Sequence, residues 1–357
     1  MPTDKELHSE WKSLFRTMSP AQAADALAAR HKLSPDSVRG RLSRFKVDVK
    51  NLKALATKTN EVDPSIEGQD QILAIHQTAW EILQPSLTTA VFASDLHLPY
   101  ARWDAVELLF LIMQDLRVDL FTGGNDLLDN SAFGRWDDKR PKNGQRWSND
   151  VAYMRNLEFS FYRQVQEATG ASIAQVQGNH DNWWYRHLRE VTPENAEAII
   201  LEYMQRLDAA QVIQFSKGFT ENPLWLNSDL VYWHGQFASS NPVANAKNTM
   251  KQFTSQGRTP SVVVGHTHRP VTVEGYQVGY TDRSFINAPC LSRIENVPYI
   301  GRNPQGWGLG FVYSEFDQSG WHKSYRIDFI ERGKELHAEF KGRDYRVKLD
   351  KSQPKEY

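Results

Sequence analysis

Residues 89–97 read TAVFASDLH, an apolar run typical of a buried strand that is followed at once by an aspartate and a histidine. Side chains two positions apart in an extended segment point the same way, so Asp95 and His97 can face one ligand. Polar residues also follow four further β-rich runs, at residues 118–122, 172–176, 230–233 and 261–264.

Side chains of types that can bind metals follow these later runs. They are Asp126 and Asp129 after the second run, Asn179, His180 and Asp181 after the third, His234 after the fourth, and His266 and His268 after the fifth. Helical stretches at 104–116 and 151–166 separate some of the runs, which predicts an α/β arrangement with strands buried on both faces. Ligands of such folds gather at the carboxyl ends of strands, so we expect these side chains to share one site.

The mixture of carboxylates and imidazoles limits the kind of ion that such a site would hold. Carboxylate and imidazole ligands together suit Mn, Fe, Zn or Ni, whereas a set made only of oxygen ligands would favour Mg or Ca. A single Asp-x-His is weak evidence, since a histidine after a strand is more often a core or surface residue than a ligand. Five such pieces, each after a strand, make coincidence a poor explanation.

Beyond residue 270 the pattern changes. Short apolar runs separated by turns predict an antiparallel sheet with strands at 271–273, 277–280, 285–288, 308–316 and 325–330. Residues 341–357 are polar, and we expect them to be peripheral.

The composition of the whole chain is that of an ordinary globular protein. Its 357 residues suggest two domains, or one large domain with an appendage. With 42 Lys and Arg against 43 Asp and Glu, the net charge is −1. This balance excludes a uniformly basic protein that coats nucleic acid, and it excludes an acidic disordered tail.

Several features favour a soluble, cytoplasmic protein. The single cysteine, Cys290, cannot form an intramolecular disulfide and is expected in the core. Acidic residues Asp4, Glu6 and Glu10 stand near the N-terminus without an apolar stretch behind them, so we expect no secretory signal. No run approaches the ~18 apolar residues of a membrane span. The oligomeric state is not indicated.

The first 58 residues carry an excess of positive charge. They hold twelve Lys or Arg against six Asp or Glu, which gives +6 and leaves −7 for the remainder. Cap signals at Ser19-Pro20 and Ser34-Pro35 predict helices that, with one around Trp11, resemble a helix-turn-helix module. The cations of its last helix are Arg39, Arg41, Arg44 and Lys46. This module would bind DNA or RNA; a solvated bundle or a protein-docking surface is the alternative.

The ordered motifs resemble the signature of the calcineurin-like metallophosphoesterases. They are Asp95-Leu96-His97, Asp126-Leu127-Leu128-Asp129, Gly178-Asn179-His180-Asp181, His234-Gly235 and Gly265-His266-Thr267-His268. The resemblance implies an α/β (α+β) fold, a four-layer α/β/β/α sandwich with a dinuclear metal centre at the strand ends. The expected domains are a helix-turn-helix-like domain at 1–58, a linker and connecting helix at 59–86, the metallophosphoesterase domain at 87–335 and a polar tail at 336–357.

The resemblance also implies a role for each residue of the motifs. One metal would be bound by Asp95, His97, Asp126 and His268, and the other by Asp126, Asn179, His234 and His266, so Asp126 would be the bridging ligand. His180 would be catalytic with Asp181 orienting it, and Asp129 and Asn130 would support the ligands from outside. Two divalent ions are implied, with Mn²⁺ favoured and Fe, Zn or Ni as alternatives.

Two positions depart from the family's pattern. The family commonly has Gly directly before the bridging Asp, whereas here Asn125 separates Gly124 from Asp126, so we expect an unusual backbone turn. Asn130 stands where the Ser/Thr protein phosphatases of the superfamily carry Arg, and this weakens the interpretation as a phosphoprotein phosphatase.

Two segments beside the motifs mix aromatic and basic side chains. Candidate substrate contacts are Arg135, Trp136 and Arg146 in the first, and Trp183, Trp184 and Arg186 in the second. Cations attract phosphates and flat rings stack on bases, as a channel for single-stranded nucleic acid requires. The alternative is that the tryptophans pack hydrophobically under a long loop.

We therefore expect a dinuclear-metal-dependent phosphoesterase, a nuclease that cleaves phosphodiester bonds in DNA or RNA with a metal-activated hydroxide. Among enzymes, the alternative is a phosphomonoesterase acting on a phosphoprotein or a small metabolite. The alternative of another class is a non-catalytic nucleic-acid-binding or scaffold protein on the same fold. The complete ligand set and the presence of His180 argue against it.

Overall fold

The computed structural model describes residues 20–34, 87–98, 100–130, 133, 144–215, 223–239, 241–254, 259–277, 279, 282–293 and 306–349. The chain divides into two compact units, Met1–Thr88 and Thr89–Tyr357.

In the first unit the structure describes helix α1 (Pro20–His31), which begins at the proline that the sequence marks as its first position. The other helices predicted within residues 1–58, and the linker and connecting helix at 59–86, lie outside the described residues. So do the basic side chains Arg39, Arg41, Arg44 and Lys46. The helix-turn-helix interpretation therefore stays a prediction.

The second unit alternates strands with helices and then continues in β-hairpins. The helices are α2 (Trp103–Leu116), α3 (Gly144–Thr169), α4 (Asn179–Val191), α5 (Pro193–Ala209) and α6 (Pro242–Thr254). The first strands are β1 (Thr88–Phe92), β2 (Leu120–Gly124), β3 (Ser172–Val176), β4 (Val212–Phe215), β5 (Leu224–Trp225), β6 (Leu230–Trp233) and β7 (Ser261–Val264). The later strands are β8 (Val271–Glu274), β9 (Ser284–Asn287), β10 (Leu309–Phe316), β11 (His322–Arg332), β12 (Glu335–Phe340) and β13 (Arg343–Lys348).

These strands form two sheets. The larger has the order β13-β12-β11-β10-β1-β2-β3-β4, and the smaller has the order β5-β6-β7-β9-β8. Strands β1 to β4 run parallel, as do β6, β7 and β9. Strands β10 to β13 pair antiparallel. The parallel strands are short and buried, and β7 reads SVVV, because β-branched side chains suit a strand covered on both faces.

The two sheets pack against each other and helices cover their outer faces. Phe92 of β1 and Tyr232 of β6 are fully buried, with ring centroids 5.0 Å apart. Helix α3 packs on the larger sheet at Phe121, and α6 packs on the smaller sheet at Trp233. The predicted α/β/β/α order of layers is confirmed.

The five strands that precede the motifs lie where the sequence predicts them. Strands β3, β6 and β7 match the predicted runs residue for residue, and β1 and β2 are displaced by one or two residues. Their carboxyl ends, and the start of α4, therefore position the predicted site.

Two predictions about the C-terminal part are wrong. Residues 336–357 are expected to form a polar tail, but up to residue 349 they belong to the fold, because β12 and β13 extend the larger sheet. Leu336, Ala338, Tyr345 and Val347 alternate into the core, and the charged residues between them hide that alternation in the sequence. The strand predicted at 277–280 is also contradicted where the structure describes it, since Gln277 ends the 3-10 turn Gly275–Gln277 and Gly279 lies in a turn; residues 278 and 280 lie outside the described residues.

The expectations for the single cysteine and for membrane-spanning segments can be compared with the structure. Cys290 is buried, as we expect of a small core residue. In the described part of the chain, no helix has the length and apolar character needed to cross a membrane.

Candidate metal centre

The predicted ligands come together from the strand ends of both sheets. Asp95 and His97 follow β1, Asp126 follows β2, Asn179 and His180 begin α4, His234 follows β6, and His266 and His268 follow β7. The backbone N–H of His266 donates to Oδ2 of Asp95 at 2.9 Å, so a turn of the smaller sheet is bonded to one of the larger sheet.

Asp95, His97 and His268 form the first group of donors. Their ligand atoms all lie within 4.8 Å of one another, and the three residues are buried. Nε2 of His268 lies 2.8 Å from Oδ1 of Asp95 and 3.3 Å from Nε2 of His97. The hydroxyl of Ser94 donates to Oδ2 of Asp95, which leaves Oδ1 directed at the histidines.

Asp126, His234 and His266 form the second group, again with ligand atoms within 4.8 Å of one another. Nε2 of His234 lies 3.2 Å from Oδ2 of Asp126 and 3.0 Å from Oδ1 of Asn179. The amide oxygen of Asn179 therefore lies beside this group and adds a fourth possible ligand atom to the three from Asp126, His234 and His266.

Asp126 connects the two groups. It forms a third set of neighbouring donors with His97 and His180. Its Oδ1 accepts a hydrogen bond from the backbone N–H of His180 at 2.8 Å, and its Oδ2 lies 4.0 Å from Nε2 of His180. Asp126 thus lies between the two predicted metal sites, and the His180 ring lies beside it.

Asp129 and Asn130 hold the histidines from outside the donor groups. Oδ1 of Asp129 lies 3.3 Å from Nδ1 of His97 and 3.7 Å from Nδ1 of His180. The backbone carbonyl of Asp129 also contacts Nδ1 of His180. Because a carbonyl oxygen only accepts, Nδ1 of His180 carries a proton, and Nε2 remains for the site. The side chain of Asn130 donates to the carbonyl oxygen of His180 at 3.3 Å.

The predicted role of Asp181 needs correction, because Asp181 does not orient His180. Its Oδ2 accepts hydrogen bonds from the backbone N–H groups of Gly178 at 2.9 Å and Asp126 at 3.1 Å. Successive residues of a helix do not face each other, so His180 and Asp181 of α4 point apart. Asp181 ties the turn after β3 to the turn after β2, and Asp129 contacts His180 instead. Burial raises the pKa of Asp181 to about 7.

Buried carboxylates make the site favourable for positive charge. Burial alone would raise the pKa of Asp95, but the charges of His268 and His234 and the hydrogen bonds from His268 and His97 together outweigh it and hold that pKa well below its usual value. Burial alone would lower the pKa of His97, yet hydrogen bonds to Asp129 and Asp95 raise it to about 10. Carboxylates that stabilise a buried imidazolium so strongly would also stabilise a bound cation.

Five predicted ligands share an uncommon backbone conformation. Their φ angles are positive: 55° at Asp95, 48° at His97, 60° at Asp126, 69° at His266 and 57° at His268. Non-glycine residues seldom adopt this left-handed region, although Asp, Asn and His tolerate it best. Such strain persists only where surrounding contacts over-determine the backbone, and it is concentrated at functional sites.

Asn125 has the unusual backbone turn that its sequence position predicts. Its φ is 51°, a value that asparagine tolerates and that glycine would adopt freely. Its N–H donates to Val176 at 2.5 Å, and its carbonyl accepts from Asp95 at 2.7 Å, so it joins three strand ends. Its side chain is fully buried, and neither amide atom has a hydrogen-bond partner among the described residues.

Two glycines allow the turns to approach one another. A Cβ on Gly178 would overlap the carboxylate and backbone of Asp126. A Cβ on Gly265 would overlap the hydroxyl of Ser94 and would lie 2.7 Å from Oδ2 of Asp95. The site therefore needs glycine at both positions for steric reasons.

Replacing Gly265 by alanine is expected to displace Asp95 and to reduce stability by about 1–3 kcal/mol, because the new methyl group overpacks a buried turn. Metal affinity should fall at least about tenfold, since the carboxylate loses its fixed position. Gly333→Ala is the control, because its left-handed φ of 67° brings backbone strain but no atom lies within 4 Å of the added Cβ. Thermal unfolding and metal titration measure both effects, and equal loss of metal by both variants would contradict the steric argument.

The donor geometry fits divalent transition metals. Two nitrogens that bind one tetrahedral ion at 2.0–2.1 Å lie about 3.3 Å apart. The Nε2 atoms of His97 and His268 are separated by 3.3 Å. The mixture of imidazole and carboxylate donors in both groups also suits such ions better than Mg²⁺ or Ca²⁺.

The predicted substrate contacts differ in whether the structure describes them and in how near they lie to the donor groups. Arg135, Trp136 and the side chain of Arg146 lie outside what the structure describes. Trp183 is half-buried, and its ring lies against that of His180 with centroids 3.9 Å apart. Arg186 is half-buried one turn further along α4 and forms an ion pair with Glu190 at 3.6 Å.

Trp184 is a core residue, so its prediction as a substrate contact is wrong. Only 2% of its surface is exposed. The guanidinium of Arg155 lies 3.5 Å from its ring centroid and 3.6 Å from that of Tyr203. Arg155 also approaches Glu158 at 3.6 Å. This buried cluster anchors α4 to α3 and α5. For Trp184, the alternative that the tryptophans pack in the protein interior is therefore the correct one.

The sequence gives little signal for Trp307, which also adjoins the site. Its ring centroid lies 3.8 Å from that of His268. Trp307 is distant from the motifs along the chain and stands in a glycine-rich turn, so no spacing rule connects it to them. The N–H of the next residue, Gly308, donates to the carbonyl of His268 at 3.1 Å and holds the turn there.

Comparisons with known proteins add a limited likeness. No protein-family model and no curated protein matches the chain. Among solved structures it is similar to vacuolar protein sorting 29 from Cryptosporidium parvum, with 11% identity, 73% of this chain and 96% of that chain covered, and a TM-score of 0.32. It is also similar to a metallophosphoesterase from Sphaerobacter thermophilus, with 16% identity, coverage of 69% and 90%, and a TM-score of 0.33.

Proposed function

We propose that the chain is a dinuclear-metal-dependent phosphoesterase that cleaves phosphodiester bonds. The main support is the pair of buried donor groups with Asp126 between them. When bound, two divalent ions polarise a phosphoryl oxygen and lower the pKa of a shared water, so no side-chain nucleophile is needed. Mn²⁺ is the favoured ion, because both groups combine imidazoles with a carboxylate.

The protein's own residues hold the reacting groups in this proposal. Backbone N–H groups of His266 and His180 fix the carboxylates of Asp95 and Asp126. The carbonyl of Asp129 holds Nδ1 of His180, so Nε2 of that ring is presented to the leaving oxygen. In its charged form His180 donates the Nε2 proton to the departing alkoxide.

We further propose nucleic acid as the substrate. The half-buried ring of Trp183 beside His180 offers a surface on which a base can stack. The +6 charge of residues 1–58 would add salt-dependent affinity for phosphates. A phosphoprotein phosphatase is less favoured, since Asn130 stands where the Ser/Thr protein phosphatases of the superfamily carry Arg and its amide donates to the backbone of α4.

The direct test is to incubate the manganese-loaded protein in parallel with single-stranded DNA, duplex DNA, RNA, a small aryl phosphodiester and an aryl phosphomonoester. We expect cleavage of the diesters, with nucleic acid preferred over the small aryl ester. Hydrolysis of the monoester alone would favour the phosphomonoesterase alternative. Binding of DNA or RNA without any hydrolysis would favour the non-catalytic one.

Replacing Arg39, Arg41, Arg44 and Lys46 together by alanine is expected to weaken binding of DNA or RNA and to reduce its salt dependence. Each lost phosphate contact lowers the slope of log affinity against log salt by about 0.7–0.9. Fluorescence anisotropy at several salt concentrations measures this slope. The matched control replaces four exposed lysines of the second unit, Lys247, Lys251, Lys334 and Lys348. Identical slopes for the two variants would remove the N-terminal segment from the proposal, while hydrolysis of the small diester should stay unchanged in both.

A further inference from the structure

A continuous row of five aromatic rings crosses the candidate metal centre. Ring centroids are 3.9 Å apart for Trp183 and His180, 4.6 Å for His180 and His97, 5.2 Å for His97 and His268, and 3.8 Å for His268 and Trp307. The three inner rings belong to the predicted catalytic and metal-binding residues. The two outer rings are tryptophans, one at each end of the row.

The two outer tryptophans differ from those in the core. Both are half-buried, whereas Trp184 and Trp233 are each only 2% exposed. Trp183 packs against the hydrophobic core on one side and against His180 on another. Because tryptophan is large and seldom fully buried, the position of these two rings matters more than their partial exposure. Their partners are also unusual, since each contacts a histidine of the site.

Both tryptophans are held in place by the backbone. Trp183 is in α4, whose first turn is fixed by the hydrogen bonds of Asp181 and Asn130. Trp307 is in the turn that Gly308 ties to the carbonyl of His268 at 3.1 Å. Rings fixed in this way lose little conformational entropy when a flat group stacks on them.

A cationic side chain lies in the neighbourhood of each tryptophan, and the one near Trp183, Arg186, also forms a surface ion pair with Glu190. Arg269 directly follows His268 and is exposed, and a Cβ on Gly306, next to Trp307, would lie 3.8 Å from its side chain. Arg186 lies one helical turn after Trp183, on the same face of α4. An aromatic ring with a cation beside it is the combination that binds a nucleotide, because the ring stacks on the base and the cation attracts the phosphate.

We infer that Trp183 and Trp307 are two stacking platforms that receive the bases on either side of the scissile phosphate. The inference rests on the proposed phosphodiesterase function and specifies its substrate as single-stranded nucleic acid with bases on both sides of the cleaved bond. A duplex is excluded, because its bases are already stacked and paired. Neither tryptophan touches the reacting atoms, so both determine substrate specificity.

The test measures binding first, so that it does not depend on turnover. A 3′-fluorescein-labelled oligothymidylate and an abasic strand of the same length are titrated with the chelator-treated protein, and anisotropy gives each Kd. Loss of a stacking partner should weaken binding of the oligothymidylate about 5- to 100-fold in Trp183→Ala and in Trp307→Ala. Binding of the abasic strand should change less than about threefold, since it has phosphates but no bases.

Two further variants control for loss of folding. Trp183→Phe and Trp307→Phe keep a flat ring and should bind the oligothymidylate within about threefold of the wild type. Trp321→Ala removes an exposed tryptophan that adjoins none of the five rings and should leave both affinities unchanged. Equal weakening for both strands, or failure of phenylalanine to restore binding, would overturn the stacking role.

A second arm separates this inference from the proposed function. The manganese-loaded wild type is tested on thymidylyl-thymidine and on a dinucleotide analogue that has an abasic site on one side. A wild type that cleaves the first with a lower KM supports the two platforms. Equal KM values would refute them while leaving the phosphodiesterase intact. Absence of hydrolysis of any diester would refute the proposed function, whatever the binding data show.

Discussion

Replacing Asp126 by asparagine is expected to remove both metal ions and to reduce turnover on the order of 10³-fold or more, which is at least the cost of losing one fixed electrostatic contact at a reacting centre. The physical reason is that the carboxylate of Asp126 lies between the two groups of possible metal ligands. Its Oδ2 lies 3.2 Å from Nε2 of His234, and the residue also neighbours His97 and His180. Asparagine keeps the shape and can still accept the backbone hydrogen bond of His180, but it lacks the negative charge that two cations share.

The measurement is the number of metal ions per chain by elemental analysis, together with kcat/KM on an aryl phosphodiester. Asp104→Asn is the matched control, because Asp104 is also buried in the same unit but pairs with Arg102 at 2.9 Å, away from the donor groups. That variant should keep both ions. Two ions still bound to Asp126→Asn would refute the bridging role.

Replacing His180 by alanine is expected to leave both ions bound and to lower turnover by roughly 10² to 10⁴, the usual contribution of a positioned acid or base. The loss should depend on the leaving group. A nitrophenolate departs without a proton, whereas an alkoxide needs one, so Nε2 of His180 matters more for the alkoxide. The backbone N–H of residue 180 still donates to Asp126 in the variant, which preserves the geometry of that carboxylate.

Steady-state rates on an aryl diester and on a dinucleotide measure this difference. His187→Ala is a suitable control, because that half-buried histidine is in the same helix, beside Phe133 and outside the donor groups. A loss of equal size for both leaving groups would show that His180 stabilises charge on phosphorus and does not protonate the leaving oxygen. An unchanged rate would remove it from catalysis.

The strands of the site could be predicted because their signal is local. The runs at β3, β6 and β7 are short, apolar and bounded by glycine or polar residues, so burial dictates a strand. The positions of the ligands then follow from the rule that strand ends form the site. Charged residues hid the alternation of β12 and β13, because β13 is the edge strand, β12 is its neighbour, and both are exposed on one face.

Which side chains contact one another within the site was harder to predict than which residues belong to it. The family resemblance suggests Asp181 as the partner of His180, but the two residues follow each other in a helix and therefore diverge. The same helical phase could have separated the two tryptophans. Asp181, Trp184, Tyr185 and Leu188 are buried at helical spacing, whereas Trp183 lies three residues after His180 and shares its side of the helix. Trp307 has no such local signal, since only the fold brings it to His268.

The left-handed backbone at five ligands has a consequence for the evolution of this chain. A residue that replaces one of them must satisfy the backbone as well as the ion, and few types besides Asp, Asn, His and Gly adopt such φ angles cheaply. Descendants that lose the metal should therefore drift towards asparagine and glycine at these positions, and seldom towards valine or isoleucine. Asn125 already has one of these residue types in this conformation. The backbone turns would then be conserved after metal binding was lost, so a lineage could keep the shape of the site without binding ions.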